Sequence, residues 1–245
     1  MESEIVVLAL GFIVIFSAGL VQGATSFGFS LLSVPLLGAF MPLKIIVPML
    51  IIYSFIINSI ILYKIREHLE LKRISLLIIA AVVTTPIGAN MLINLDESIL
   101  KIMVGIIVTI SAVSFYFGYK VKIKNEKLAY IPVGLVSGLL NGSISISGPP
   151  VILFLTNQSV EKQVFRATLT GFFWVLNIMT IIIFLSKKLI NVQVLKFTGY
   201  LLPALIGGVF IGINFGNKVK EETFEKLTTI LIIIMGILSI VSGIK

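Results

Sequence analysis

The sequence predicts an all-α, polytopic membrane protein made of two inverted repeats. Three observations carry that expectation: a composition too apolar for water, a ladder of apolar segments of bilayer length, and a self-alignment that lays the second half of the chain on the first. Of the 245 residues, 58% are hydrophobic and only 12% are charged, against about 25% charged in soluble domains. A hydrocarbon core of about 30 Å takes roughly 20 apolar residues per helix. Eight segments approach that length, at about 4–22, 44–64, 73–94, 98–119, 127–142, 164–186, 192–216 and 225–244. Two more, at about 27–40 and 148–159, are short, the length of a re-entrant or broken helix rather than a free-standing span.

Read in order, the first segment begins MESEIVVLALGF. Acidic residues stand where a signal peptide carries basic ones, and no small-residue cleavage site interrupts the apolar run, so the stretch reads as the first helix. It runs into QGATSFG, a break rich in Gly and Ser, from which the first short segment leads off. The 44–64 segment is apolar around Asn58, and the charged loop after it holds the only histidine, His68. The 73–94 and 98–119 segments finish a first repeat over residues 1–120. A second repeat, 121–245, completes one membrane domain. Its 127–142 segment runs into NGSISISGPP, the second break, with the other short segment behind it. The 164–186 segment opens on FRATLTGFFW and holds Asn177, and the 192–216 and 225–244 segments close the chain. Trp174 and the many Phe side chains read as packing or lipid-facing groups.

A shift of 119 residues aligns the chain with itself without a gap from about 14 to 88. Apolar identities are cheap in this composition. The informative ones are Gly19 with Gly138, Gly23 with Gly142, Ser26 with Ser145, Asn58 with Asn177 and Gly88 with Gly207, while Gln22 falls on Asn141. Each repeat has four long helices and one short broken or re-entrant helix. That odd parity starts the second copy on the opposite side of the membrane, the arrangement of many secondary transporters. Sorted by loop, thirteen of the 19 Lys and Arg fall on one side, with Lys187 and Lys188 against the trend. The positive-inside bias makes that side cytoplasmic and puts both termini outside a cell membrane. The net charge of +8 therefore belongs to cytoplasmic loops, not to a nucleic-acid surface.

Other classes fall away. With no cysteine there is no disulfide, thiol catalysis or iron–sulfur cluster. A single loop histidine gives no zinc site, and no metal or cofactor is expected. No Asp or Glu lies deep in a helix, which leaves proton coupling through a protein group unsupported. An intramembrane enzyme would need a catalytic pair or a nucleophile elbow, and neither is written in the chain. The expected partners are membrane lipid and a small anion, with the oligomeric state open.

The two breaks are the candidate site. Irregular backbone survives at membrane depth only where it is buried in protein or lines a wet cavity. Read as extended chain, Ser143, Ser145 and Ser147 share one face, and Ala24, Ser26, Gly28 and Ser30 form a matching small face in the first copy. A short helix follows each break, and its first N–H groups, at the positive end of the helix dipole, suit an anion. Pro149 and Pro150 fit a first helical turn. Gln22, Thr25, Ser26, Gly28, Asn141, Ser143, Ser145, Ser147 and Gly148 are the candidate binding residues at the breaks. The serines also read as caps of their own helices. Asn58 and Asn177 read equally as ligand contacts or as interhelical glue. Arg166 reads as an interfacial anchor or as a guide for an anion at the cavity mouth.

These residues carry a resemblance. GLVQGATSFGFSLLSVPLL at 19–37 resembles the first signature of the TauE/SafE sulfite exporter family, also called TSUP, and GLLNGSISISGPPVILFL at 138–155 is similar to its second. FRATLTGFFWVLN at 165–177 resembles the family's Phe-Arg-Ala-Thr segment and the Asn that follows. Ser26, Ser145 and Ser147 depart from the family pattern, which is usually richer in Gly, and add hydroxyls to the proposed site. The resemblance implies a secondary transporter of small sulfur-containing anions, such as sulfite or an organosulfonate like sulfoacetate, with export as the expected direction. An anion channel with the same lining, or a carrier of a non-sulfur anion, is the alternative.

Overall fold

The computed structural model describes residues 2–69, 71–117, 126–156 and 162–215. The expected segment at 225–244 lies outside the described residues. Among them the chain is helical: α1 (Glu2–Thr25), α2 (Phe29–Gly38), α3 (Leu43–Ile65), a 3-10 turn at Arg66–His68, α4 (Leu71–Asn94), α5 (Glu97–Phe117), α6 (Glu126–Ile144), α7 (Gly148–Thr156), α8 (Lys162–Ser186) and α9 (Val192–Phe215). The two short segments are the short helices α2 and α7. Six helices, α1, α3, α4, α5, α8 and α9, are long and apolar enough to cross a membrane. Helix α6 is shorter, with an apolar stretch of Leu128–Ile144. On α4 the side chains of Ile79, Val83 and Ile87 recur once per turn and are exposed. A water-soluble helix would bury such a stripe; here it faces where lipid would be.

Two helix pairs pack more closely than the rest, α1 with α9 and α4 with α6. Glycine makes both possible. A Cβ on Gly142 would run into the Thr85 carbonyl oxygen, and one on Gly88 would meet Leu139 O and come within 2.9 Å of Ser143 N. In the other pair, Gly212 lies against Leu20 O and Gly23 lies against Val209 O. Small residues that let backbones touch are how membrane helices gain dispersion energy that lipid cannot supply. Within each pair the contacts ascend together (Gly134 with Leu77 and Gly142 with Thr85; Gly208 with Phe16 and Gly212 with Leu20), so the helices run parallel. Each pair takes one helix from either half of the chain, and the shift of 119 residues carries α1 onto α6 and α4 onto α9.

The bundle has two ends. At one, the Lys44 ammonium at the start of α3 donates to Ile93 O at 2.8 Å, and Lys187 past the end of α8 donates to Asn90 Oδ1 at 2.6 Å. The starts of α3 and α9 and the ends of α4 and α8 meet there. Helix α1, parallel to α9, sets out from that end, and α2 leads back toward it to join α3. Helix α6, parallel to α4, sets out from the other end, and α7 leads back toward the start of α8. Two helical hairpins thus enter the bundle from opposite ends, and their tips touch: Ser30 Oγ and Ser145 Oγ lie 3.3 Å apart.

Candidate functional site

The breaks are tighter than an extended reading allows. Helix α1 continues through Thr25 and α6 through Ile144, leaving only Ser26–Gly28 and Ser145–Ser147 outside helices. The alternating serine faces therefore do not form. Ser143 is helical, and its hydroxyl donates back to Leu139 O at 2.8 Å, the local bond by which a helical Ser satisfies itself. What the breaks share is backbone shape. Ser26 and Ser145, repeat mates, have φ of 69° and 60°, the left-handed conformation that ends a helix. Their N–H groups donate to Gln22 O at 2.7 Å and Asn141 O at 3.1 Å. Gly28 follows at φ 96° and starts α2. Pro149 and Pro150 fall in the first turn of α7, as the sequence predicts.

The hairpin tips and helices α3 and α8 enclose a cavity of about 400 Å³, its open mouth included. Eight of the twelve candidate residues line it: Gln22, Gly28, Asn58, Asn141, Ser145, Ser147, Gly148 and Asn177. The lining is largely two-fold. Gln22 pairs with Asn141, Phe27 with Ile146, Gly28 with Ser147, Phe29 with Gly148, Ser54 with Phe173 and Asn58 with Asn177, each pair 119 positions apart. Four candidates stand outside the lining. Thr25 secures its own break, its hydroxyl 2.9 Å from Val21 O and 2.7 Å from Phe27 O. Ser26 takes a bond from the Arg166 Nε at 2.9 Å, and Ser143 serves α6. Arg166 therefore acts behind the first break and does not line the cavity. Its counterpart position holds the buried Val47, so the second break has no such cation from α3.

The polar groups are arranged in series. The Phe29 N–H donates to Gln22 Oε1 at 3.2 Å, and Gln22 Nε2 donates to Asn58 Oδ1 at 3.2 Å. Both amide oxygens are thus occupied by donors. The end of the series is the Asn58 Nδ2, fully buried and without an acceptor among the described residues. A buried amide donor left unmet costs about 1–3 kcal/mol, so an acceptor entering the cavity recovers that energy. Further donors precede the first intrahelical bond of α2, from Leu32 N–H to Gly28 O at 3.1 Å. They are the first-turn N–H groups of Ser30 and Leu31, and both residues line the cavity. The second half is not a copy. Asn141 Nδ2 donates to Thr180 Oγ1 at 2.8 Å, and Pro149 and Pro150 have no N–H to offer.

Sequence reasoning missed Ser54 and Phe173 as lining residues, although a signal for them existed. Each lies one helical turn, four positions, before Asn58 or Asn177, and such positions share a helix face. It also missed Phe27, Phe29, Leu31, Ile146 and Ile152, which supply the apolar part of the wall. Trp174 packs, as expected: its ring stacks on Phe55 with centroids 6.1 Å apart, and its Nε1 donates to Ser59 Oγ at 2.9 Å.

The family model for Sulfite exporter TauE/SafE matches residues 11–239. The chain belongs to the TauE/SafE sulfite exporter family. No curated protein and no solved structure matches it. As a TauE/SafE member it is a multi-pass membrane transporter of the sulfite-exporter type, and the match spans both breaks and the cavity between them.

Proposed function

We propose that this protein is a secondary transporter that carries a small sulfur-containing oxyanion, sulfite or an organosulfonate, out across the cytoplasmic membrane. The anion occupies the cavity between the breaks. Asn58 Nδ2, the α2 N–H groups of Ser30 and Leu31, and the hydroxyls of Ser30, Ser54, Ser145 and Ser147 donate to it, with Gln22 and Asn177 completing the wall. Gly28 and Gly148 keep the wall close to the anion, and Thr25, Ser26, Ser143, Asn141 and Arg166 hold the breaks in shape. The two halves act as inverted repeats that rock about the shared cavity and open it to one side at a time, with both chain termini outside.

The observation that carries this reading is the two-fold lining, in which six repeat-related pairs line one cavity and one of their members, Asn58, holds an unmet amide donor. Transporters with inverted repeats bind where discontinuous helices from both halves meet. The test is sulfite flux into proteoliposomes of the purified protein. The expected result is saturable flux that supports counterflow and is competed by an organosulfonate. Unsaturable flux with large unitary currents would make the protein a channel, and no flux for any sulfur anion in folded protein would remove the substrate class.

A further inference from the structure

We infer that the cavity accepts its substrate as a monoanion, so that sulfite crosses as hydrogensulfite and dianions are excluded. This rests on the transport reading above and goes beyond it to the charge state of the cargo. Two features carry it. The first is the direction of the polar series: Phe29 N–H, Gln22 and Asn58 pass their donors forward until they end, on a residue of the cavity lining, in a buried NH2 group with no acceptor among the described residues. The site therefore calls for an acceptor. The second is that every described residue lining the cavity is uncharged at neutral pH. The field on the ligand comes from amide and hydroxyl dipoles and from the N-terminus of α2.

Charge state decides what such a site can hold. The cost of taking an ion out of water grows with the square of its charge, so a dianion costs about four times a monoanion to bury. Neutral donors offset the smaller cost, and the larger one is ordinarily met by a fixed cation or metal. Among the described residues, the charged and titratable groups nearest the cavity are not part of its lining. Arg166 on α8 is engaged with Ser26 behind the first break. Tyr53 on α3, edge-on to Phe29, donates to Thr198 O at 2.7 Å. On the other elements of the wall, the described lining from α1, α2, α6 and α7 has no ionisable side chain. The apolar surfaces of Phe27, Phe29, Ile146 and Phe173 fit the uncharged flank of hydrogensulfite or of a simple alkanesulfonate. Sulfoacetate, with a carboxylate as its second charge, belongs with the excluded dianions.

The test compares three probes in proteoliposomes at equal pH on both sides, with protein-free liposomes subtracted. Subsaturating sulfite flux should rise about tenfold for each pH unit of acidification above the second ionisation of sulfite and level off below it, following the monoanion fraction. Methanesulfonate, a monoanion throughout, should cross at a rate independent of pH, and sulfate should not compete with either. Sulfite flux that is flat or falls on acidification overturns the inference, and so does sulfate competing as well as methanesulfonate. Absence of flux for every probe in folded protein would overturn the transport reading itself and this inference with it, and is a distinct outcome. A gain-of-function variant adds a second arm. Ser54→Arg, a fixed cation in the wall, should admit sulfate as a competitor and flatten the sulfite pH profile.

Discussion

At Asn58 one amide has two ends with different fates. Its oxygen accepts from Gln22 at 3.2 Å, and its NH2 has no acceptor among the described residues. If that NH2 meets the anion, Asn58→Leu should raise the apparent KM for sulfite about tenfold or more, since a hydrogen bond to a charged group contributes about 1.5–3 kcal/mol. If Asn58 only joins helices, the variant lowers the melting temperature and leaves KM alone. Ser145 invites a stability test. An L-residue in the left-handed region pays about 1–2 kcal/mol, so Ser145→Gly should stabilise the purified protein by about 1 kcal/mol, a rise of roughly 2–4 °C in melting temperature. Ser145→Val, branched at a positive φ, should lower it. The sequence pairs Ser26 with Ser145 by the 119-residue shift but misjudges their local shape, which is left-handed and not extended. Ser-Ile-Ser-Ile has the period of a strand, yet the helix runs on through its first two residues, Ser143 and Ile144, with the Ser143 hydroxyl bonded back to Leu139 O, and ends at Ser145.

Among the helices, the close pairs make an exacting prediction about glycine. Gly88→Ala places a methyl against Leu139 O and 2.9 Å from Ser143 N, backbone that cannot step aside. Overpacking of this kind costs about 1–3 kcal/mol, and the variant should melt lower by that measure. Gly199→Ala is the control. Nothing among the described residues lies within 4 Å of its added Cβ, and removing a helical glycine should stabilise by about 0.5–1 kcal/mol. Helix existence was legible throughout the described residues, because apolar length alone announces a span. The partners of each helix were not. Gly19, Gly23, Gly88 and Gly138 stood out as repeat matches, yet no local pattern says that α1 meets α9, a contact between helices far apart in the chain. The unequal breaks were legible in part: Pro149 and Pro150 show at once that α7 has fewer N–H donors than α2.

For the molecule as a whole, the proposed alternating access makes the touching hairpin tips the contact to test. The chain has no cysteine of its own, so a Ser30→Cys, Ser145→Cys pair gives a clean lock where the hydroxyls now lie 3.3 Å apart. Oxidation should arrest methanesulfonate flux and a reductant should restore it. Methanesulfonate is the right cargo, because sulfite cleaves disulfides. Undiminished flux in the cross-linked protein would mean that the tips stay together during turnover. The pairing of α1 with α9 and of α4 with α6 reaches beyond transport to how the protein is made. A ribosome delivers α1 long before α9 exists, and the glycine face of α1 must wait in the bilayer without its partner until the second half arrives. Each of these pairs needs a helix from either half, so neither half holds both members of a close pair. Expressed as two separate halves, the protein should accumulate only when both are present in the same membrane.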